Sequence, residues 1–230
     1  MSSPQQLPDD FSNIVRLFPL GELVAFPSNV LPLHIFESRY REMFEDAIAG
    51  DQLIAMATLV PGHSDEYFTR PPVHPTICIG RIMGHETTAK GTYEFLLLGI
   101  ARARIENEVE PIRSFREARV TLLEDTLDAS PGEQQDLMNS LTSVLKDRFP
   151  EAEQLLDVIA SGHFELPALT DFLAFQLPLS TDEKLHLLSE TSVTRRALKL
   201  LQHCERDHSR TARPSSPGEG RTGFPDFSNN

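Results

Sequence analysis

The stretch Thr92-Tyr93-Glu94-Phe95-Leu96-Leu97-Leu98-Gly99-Ile100, followed at once by Ala101-Arg102-Ala103-Arg104-Ile105, decides the fold class. Its first part is an apolar run bounded by polar residues and glycine, which is typical of a buried strand. Its second part alternates apolar residues with arginine, which is typical of a strand with one buried face. Similar runs lie at 14–20, 22–26, 52–60, 76–82 and 116–122. Six or so strands of this length bury a core only by forming a sandwich or barrel.

Helical patterns occur once among these strands and then throughout the second half of the chain. Residues 37–49 carry apolar side chains at helical spacing, and Gly50 is placed to end that helix. Capping signals at Ser130 and Ser180, each with a glutamate three residues on, and at Ser192 begin three further helices. Two more are predicted at 150–161 and 167–177. Five short helices with short connections predict a small bundle.

The chain therefore divides into four parts. We expect a flexible N-terminus at 1–13, a β-rich part at 14–126, a helical part at 127–208 and a disordered tail at 209–230. The tail is assigned to disorder because it is rich in Pro, Gly, Ser and charge and has too little apolar surface to order itself.

Charge and cysteine content narrow the function classes. The formal net charge is −13, which opposes DNA binding, because affinity for phosphates rests on clustered Lys and Arg. Cys78 and Cys204 have no metal spacing, so we expect two buried thiols and no metal or cofactor. No secretory signal and no apolar run of the ~20 residues needed to cross a membrane is visible, so the cytoplasm is the expected location.

Recognisable catalytic motifs are missing from the sequence. No glycine precedes a lysine, which excludes a P-loop, and there is no Gly-x-Ser-x-Gly nucleophile elbow. His85-Glu86 begins a zinc-protease pattern, but Ala89 stands where the second histidine is needed. A dispersed Ser/His/Asp or Ser/Lys site is recognised by geometry alone and stays open at this point.

Two features suggest binding. Residues 61–75 form a long loop, and long loops are often functional. Its candidate polypeptide contacts are Tyr67, Phe68, Pro71, Pro72 and His74. The alternative is that these side chains fold back over the end of the barrel.

The second feature is a row of arginines. Arg102 and Arg104 are candidate contacts for an anionic ligand. Because glutamates are interleaved with the row, the alternative is a solvated, salt-bridged strand face.

Several blocks of the chain resemble the substrate-binding domain of Lon-type proteases. The blocks are Leu17-Phe18-Pro19-Leu20, Phe26-Pro27, Leu31-Pro32-Leu33-His34-Ile35-Phe36-Glu37 with Arg39-Tyr40, Pro71-Pro72-Val73-His74-Pro75, Cys78-Ile79-Gly80-Arg81-Ile82, Gly99-Ile100-Ala101-Arg102-Ala103-Arg104-Ile105 and Phe175-Gln176-Leu177-Pro178-Leu179. Together they extend over residues 14–207. The resemblance implies an α+β fold, with an N-terminal PUA-like β pseudo-barrel that contains one inserted helix and a C-terminal α-helical bundle.

The resemblance also implies a function. In the full protease this domain helps to select unfolded or tagged polypeptides for an ATPase and a Ser-Lys peptidase. We therefore interpret the chain as a stand-alone, non-catalytic module that binds unfolded or exposed apolar polypeptide segments. Such a module fits an adaptor or quality-control factor that works with a separate ATPase or protease. The alternatives are an RNA- or small-ligand-binding PUA-like domain, with Arg102 and Arg104 as its patch, and a peptidase.

Overall fold

The computed structural model describes residues 6–62, 70–110, 113–162 and 164–211. Six strands form one mixed sheet: β1 Ile14–Leu20, β2 Val30–Ile35, β3 Leu53–Thr58, β4 Thr76–Thr87, β5 Tyr93–Glu108 and β6 Arg116–Leu123. The helices are α1 Ser38–Ala49, α2 Pro131–Arg148, α3 Glu153–Ala160, α4 Leu166–Gln176, α5 Thr181–Ser189 and α6 Val193–Thr211. The predicted α+β order, with strands first and helices after, is confirmed.

Five of the six strands close into a barrel. The sheet order is β2-β5-β4-β3-β1-β6, and β6 pairs with β5 as well as with β1. β5 reaches three neighbours because it is 16 residues long. β4 lies along one side of it, while β2 pairs with residues 93–98 and β6 with residues 102–108 on the other side. β2 is therefore an edge strand that extends the sheet beyond the ring.

A β-bulge in β5 exchanges the two faces of that strand. Ala101 pairs with Ile79, whereas Gly99 pairs with Gly80, so Ile100 is an extra residue. Odd-numbered side chains therefore point to opposite faces of the sheet before and after the bulge.

Packing on the two halves of β5 agrees with this exchange. Ala103, after the bulge, belongs to the core inside the barrel. Phe95 and Leu97, before it, belong to a second core shared with α1 and the C-terminal helices. Leu96 then faces the opposite side, where it is 47% exposed. The face that lines the barrel interior in one half of β5 is thus open in the other half.

The helices begin where the sequence predicts. The Ser130 hydroxyl accepts the Glu133 N–H, and the Glu133 carboxylate accepts the Ser130 N–H at 2.8 Å. Ser180 and Glu183 form the same reciprocal box at α5. At α6 the Ser192 hydroxyl accepts a backbone N–H from the first turn, at 3.2 Å. All five predicted C-terminal helices are present. At α2, α5 and α6 the caps satisfy orphan N–H groups with side chains close in sequence, whereas α3 and α4 have no side-chain cap hydrogen bond.

Two details differ from the sequence prediction. Residues 22–26 form no strand. They cross over Gly99, where an added Cβ would lie 2.2 Å from the Phe26 carbonyl oxygen. α6 runs to Thr211, beyond residue 208, where the helical part was predicted to end. Residues 212–230, most of the predicted disordered tail, lie outside the described residues.

Candidate functional site

An apolar groove of about 630 Å³ lies on the part of the sheet formed by β2, β5 and β4. One row of residues crosses its floor, with Pro32 and Gly84 each directly opposite Leu96. Gly84 gives the groove depth, because a Cβ built there would meet nothing within 4 Å. We call this surface, with its flanking residues Val30, Met83 and Phe36, the open face.

Exposed apolar side chains are concentrated on the open face. Val30 is 51% exposed, Met83 47% and Leu96 47%, and Phe36, directly after β2, is 62% exposed. These are four of the seven large hydrophobic residues that are exposed in the described part of the chain. Scattered exposed apolar residues need no explanation, but a contiguous group of them marks an interaction surface.

A polar row lies next to the apolar one. Glu94 is directly opposite His34 on β2 and Glu86 on β4. The Nε2 atom of His34 is 2.9 Å from the Thr92 hydroxyl oxygen, which holds the imidazole at the rim. Among the described residues, neither Glu86 nor Glu94 has an ion-pair partner within 4.0 Å. The open face therefore combines an apolar floor with uncompensated negative charge.

The loop predicted to contact polypeptides is described only in part. Tyr67 and Phe68 lie outside the described residues. Pro71 is buried, and its carbonyl accepts a hydrogen bond from Arg116 Nη1 at 2.7 Å. Pro72 is exposed, but its carbonyl accepts from the Val60 N–H at 2.9 Å.

His74, the remaining candidate of that loop, is also fastened to the barrel. Its backbone N–H donates to the Thr58 carbonyl at 2.8 Å, and its Nε2 atom is buried without a hydrogen-bond partner among the described residues. The end of the loop is therefore attached to the strands. Polypeptide contact through Tyr67 and Phe68 stays a prediction.

Arg102, a candidate contact for an anionic ligand, lies inside the protein and contacts the protein's own carboxylates. Arg102 is 3% exposed, because the helices cover the outer side of β5 at this position. Its guanidinium forms ion pairs with Asp171 of α4 and with Asp125, the latter at 3.2 Å, and donates to the Leu188 carbonyl at 3.1 Å. Arg104, two residues further on, is exposed.

Arg196 of α6 completes a buried ionic cluster around Arg102. It donates to Asp125 at 2.8 and 2.6 Å and lies 3.5 Å from Asp171. Burial raises the pKa of Asp171, although Arg102 and Arg196 oppose that rise. Burial also lowers the pKa of Arg102, but Asp171 and Asp125 outweigh it and the net shift is upward. Because guanidinium N–H groups only donate, Arg102 and Arg196 favour the ionised form of the Asp171 carboxyl.

Sequence reasoning missed the open face for a structural reason. β2 was not predicted as a strand. It contains Pro32, and proline within an apolar run argues against a strand unless the strand lies at an edge or contains a bulge. The signal that could have found the face is Leu96-Leu97-Leu98. Three consecutive apolar residues in a strand place one of them on the side opposite to the other two.

No group of three or more His, Cys, Asp and Glu side chains in the described residues is arranged to hold a metal ion. No helix there combines the length and the apolarity that crossing a membrane requires.

A family model matches most of the chain. It is described as the ATP-dependent protease La (LON) substrate-binding domain and matches residues 14–206. The similar proteins include the Lon protease of Dictyoglomus thermophilum, 24% identical over 86% of this chain, and that of Desulforamulus reducens, 27% identical over 80%. The chain spans about a quarter of the length of each of these curated relatives, 25% and 23% respectively.

Two solved structures share the fold. The Lon N-terminal domain protein from Xanthomonas campestris superposes with a TM-score of 0.62 at 24% identity, over 82% of this chain and 97% of that one. The N-terminal domain of the Mycobacterium avium complex Lon protease gives a TM-score of 0.63 at 20% identity, over 82% and 96%. Both alignments cover nearly the whole neighbouring chain, so the likeness extends over strands and helices together.

Proposed function

The chain belongs to the Lon substrate-binding domain family, and from this premise we propose that it binds exposed apolar segments of other polypeptides on its open face. The observation that carries the proposal is an apolar groove lined by Leu96, beside which three more exposed apolar side chains lie on or next to the same strands, those of Val30, Phe36 and Met83. The family supplies the kind of ligand, and the groove supplies a surface that fits it.

The open face is suited to binding because most of it is already rigid. Its residues lie mainly on paired strands, so little backbone entropy is lost when a ligand binds. Covering a side chain such as Leu96, which is 47% exposed, contributes roughly 1 kcal/mol. Four such side chains together contribute about 4 kcal/mol. An affinity in the micromolar range needs about 8 kcal/mol net, so a ligand must also make contacts with the rest of the groove.

The finer proposal is that the chain acts without catalysis, as an adaptor or quality-control factor. In this scheme it holds unfolded polypeptides for a separate ATPase or protease. Degradation of a labelled unfolded protein by a purified Lon-type protease, measured with and without the chain, tests this step. An unchanged degradation rate over a range of chain concentrations would refute it.

The RNA-binding alternative has lost part of its basis. It relied on Arg102 and Arg104 as a local patch, and Arg102 is buried in ion pairs within the protein. A filter-binding titration at several salt concentrations remains the direct test, because phosphate contacts give a steep negative salt slope.

Binding to the open face is tested with one matched pair of variants. Leu96→Ser removes an apolar side chain from the groove, and Leu198→Ser removes one that is equally exposed, at 45% against 47%, but lies on α6. We expect Leu96→Ser to weaken binding of a labelled, permanently unfolded model protein by about fivefold, the factor that corresponds to roughly 1 kcal/mol. Leu198→Ser should bind like the parent protein. Fluorescence anisotropy measures both, after circular dichroism has shown that the variants are folded.

The loop is tested in the same assay. If Tyr67→Ala with Phe68→Ala abolishes binding and Leu96→Ser leaves it unchanged, the binding surface is the loop and the open face is refuted. Equal losses in Leu96→Ser and Leu198→Ser would indicate nonspecific adhesion and would refute both surfaces.

A further inference from the structure

We infer that Glu86 and Glu94 make the open face selective for extended segments in which a lysine or arginine lies two residues from an apolar residue. This inference rests on the proposed function and names the class of polypeptide that the groove prefers. The carboxylates form one row across the sheet, and Leu96 forms the next row with Pro32 and Gly84.

The carboxylates of Glu86 and Glu94 repel each other. Glu86 and Glu94 are directly opposite each other on antiparallel strands, and both are exposed. Like charges in this position destabilise a sheet. A positively charged ligand placed between them would relieve the repulsion, so the cost in the free protein favours binding of a cation.

In the described residues, the cations near Glu86 and Glu94 do not neutralise the negative charge of these two carboxylates. Arg41 of α1 donates to the Gly91 carbonyl at the neighbouring hairpin tip, at 3.1 Å. Lys90, on that tip, forms no ion pair with either glutamate in the described residues. The His34 side chain lies at the rim of the groove, whereas the His85 ring packs edge-on against Phe44 on the covered side of the sheet, at 5.4 Å between ring centroids. The net charge of the chain, −13, further favours a basic ligand at long range.

The spacing of the two rows specifies a pattern in the ligand. Glu94 and Leu96 are two residues apart on one strand and point to the same face, so they are about 7 Å apart along it. An extended segment has the same repeat, so an apolar residue over Leu96 places the side chain two positions away over Glu94. A cation directly next to the apolar residue would point away from the sheet. The structure therefore favours the pattern apolar-x-Lys or apolar-x-Arg over apolar-Lys.

The experiment uses the full chain and short fluorescent peptides that differ in one feature. The first peptide repeats the apolar-x-Lys pattern, the second replaces each Lys by Gln, and the third moves each Lys next to the apolar residue. We expect the first to bind about five- to tenfold more tightly than the other two at low salt, with most of the difference lost at ~0.5 M salt.

Two protein variants connect the preference to the carboxylates. Glu86→Gln with Glu94→Gln should bind all three peptides with nearly the affinity that the parent protein has for the Gln peptide. Its melting temperature should not fall, because the change removes a repulsion. The matched control is Glu106→Gln, which removes an exposed charge from the far half of β5 and should keep the full preference.

The outcomes separate this inference from the proposed function. Equal affinity for the Lys and Gln peptides, or a full preference in the double glutamine variant, overturns the inference and leaves the apolar binding face intact. Equal affinity for the two lysine spacings overturns the pattern. If neither these peptides nor an unfolded protein binds, the proposed function fails and the inference fails with it.

Discussion

Asp171→Asn should destabilise the protein more than any exposed charge replacement. Asp171 is 2% exposed and is the innermost carboxylate of the cluster that holds α4 and α6 against β5. The asparagine has nearly the same shape, so the change removes a charge and leaves the packing. Arg102 and Arg196, both buried, would then share the single carboxylate of Asp125.

The expected magnitude follows from leaving a buried charge without compensation. Removing one partner of a buried ion pair costs about 3–5 kcal/mol. For a protein of this size that loss lowers the melting temperature by roughly 10 °C. Asp125 is 25% exposed, so Asp125→Asn should cost less, because water can solvate part of the cluster near it.

Chemical denaturation followed by circular dichroism measures the loss, with Asp136→Asn on exposed α2 surface as the control. A second variant, Asp171→Leu with Arg102→Met, replaces one buried pair by apolar groups and should recover much of the stability, because the desolvation penalty disappears with the charges. The reasoning is refuted if Asp171→Asn costs less than about 1 kcal/mol, the value typical of an exposed pair.

Three further predictions concern single sites. Gly99→Ala should cost more than about 3 kcal/mol in unfolding experiments, because its Cβ would lie 2.2 Å from a backbone oxygen, whereas Gly84→Ala should be nearly neutral, since its Cβ meets nothing within 4 Å. The Cys78 thiol, whose pKa burial raises to about 12, should resist a thiol reagent at pH 8 until the protein is unfolded. The hydrogen bond from Arg195 lowers the pKa of Glu190 from 4.5 to about 2, so the stability that Glu190 contributes is present above pH 4.5 and lost as the pH falls towards 2. With Glu190→Gln, the free energy of unfolding should fall by about 1–2 kcal/mol less on acidification, as measured by denaturation at several pH values. The expected change is smaller than the full pKa shift implies, because Arg195 is exposed.

The helical half could be predicted from sequence because its signals are local. Ser130 and Glu133 lie within one helical turn, and so do Ser180 and Glu183, so each box is visible without knowledge of the fold. The apolar stripe of α1 is local in the same sense. Such features act before any tertiary contact forms, and sequence reasoning finds them for that reason.

The strand pairing and the binding surface depend on contacts that are distant in sequence. β2 is a strand because residues 93–98 of β5 lie beside it, although Pro32 argues against one locally. The alternation of Ala101, Arg102 and Ala103 was read correctly as one face against the other. It does not reveal that α4 and α5 cover Arg102, because that depends on where the bundle packs.

The bulge at Ile100 explains how β5 contributes both to the closed barrel and to the open face. On the covered side of β5, Phe95 and Leu97 before the bulge and Arg102 after it all face helices, so apolar packing and buried ion pairs both fix the helical part there. The other side faces the barrel interior after the bulge. Before the bulge that side has left the ring, and Leu96 emerges on it into the groove. The open face is therefore a continuation of the barrel's inner face past its rim. A surface of this origin is held rigid by the barrel, and a ligand can cover it without any rearrangement of the bundle.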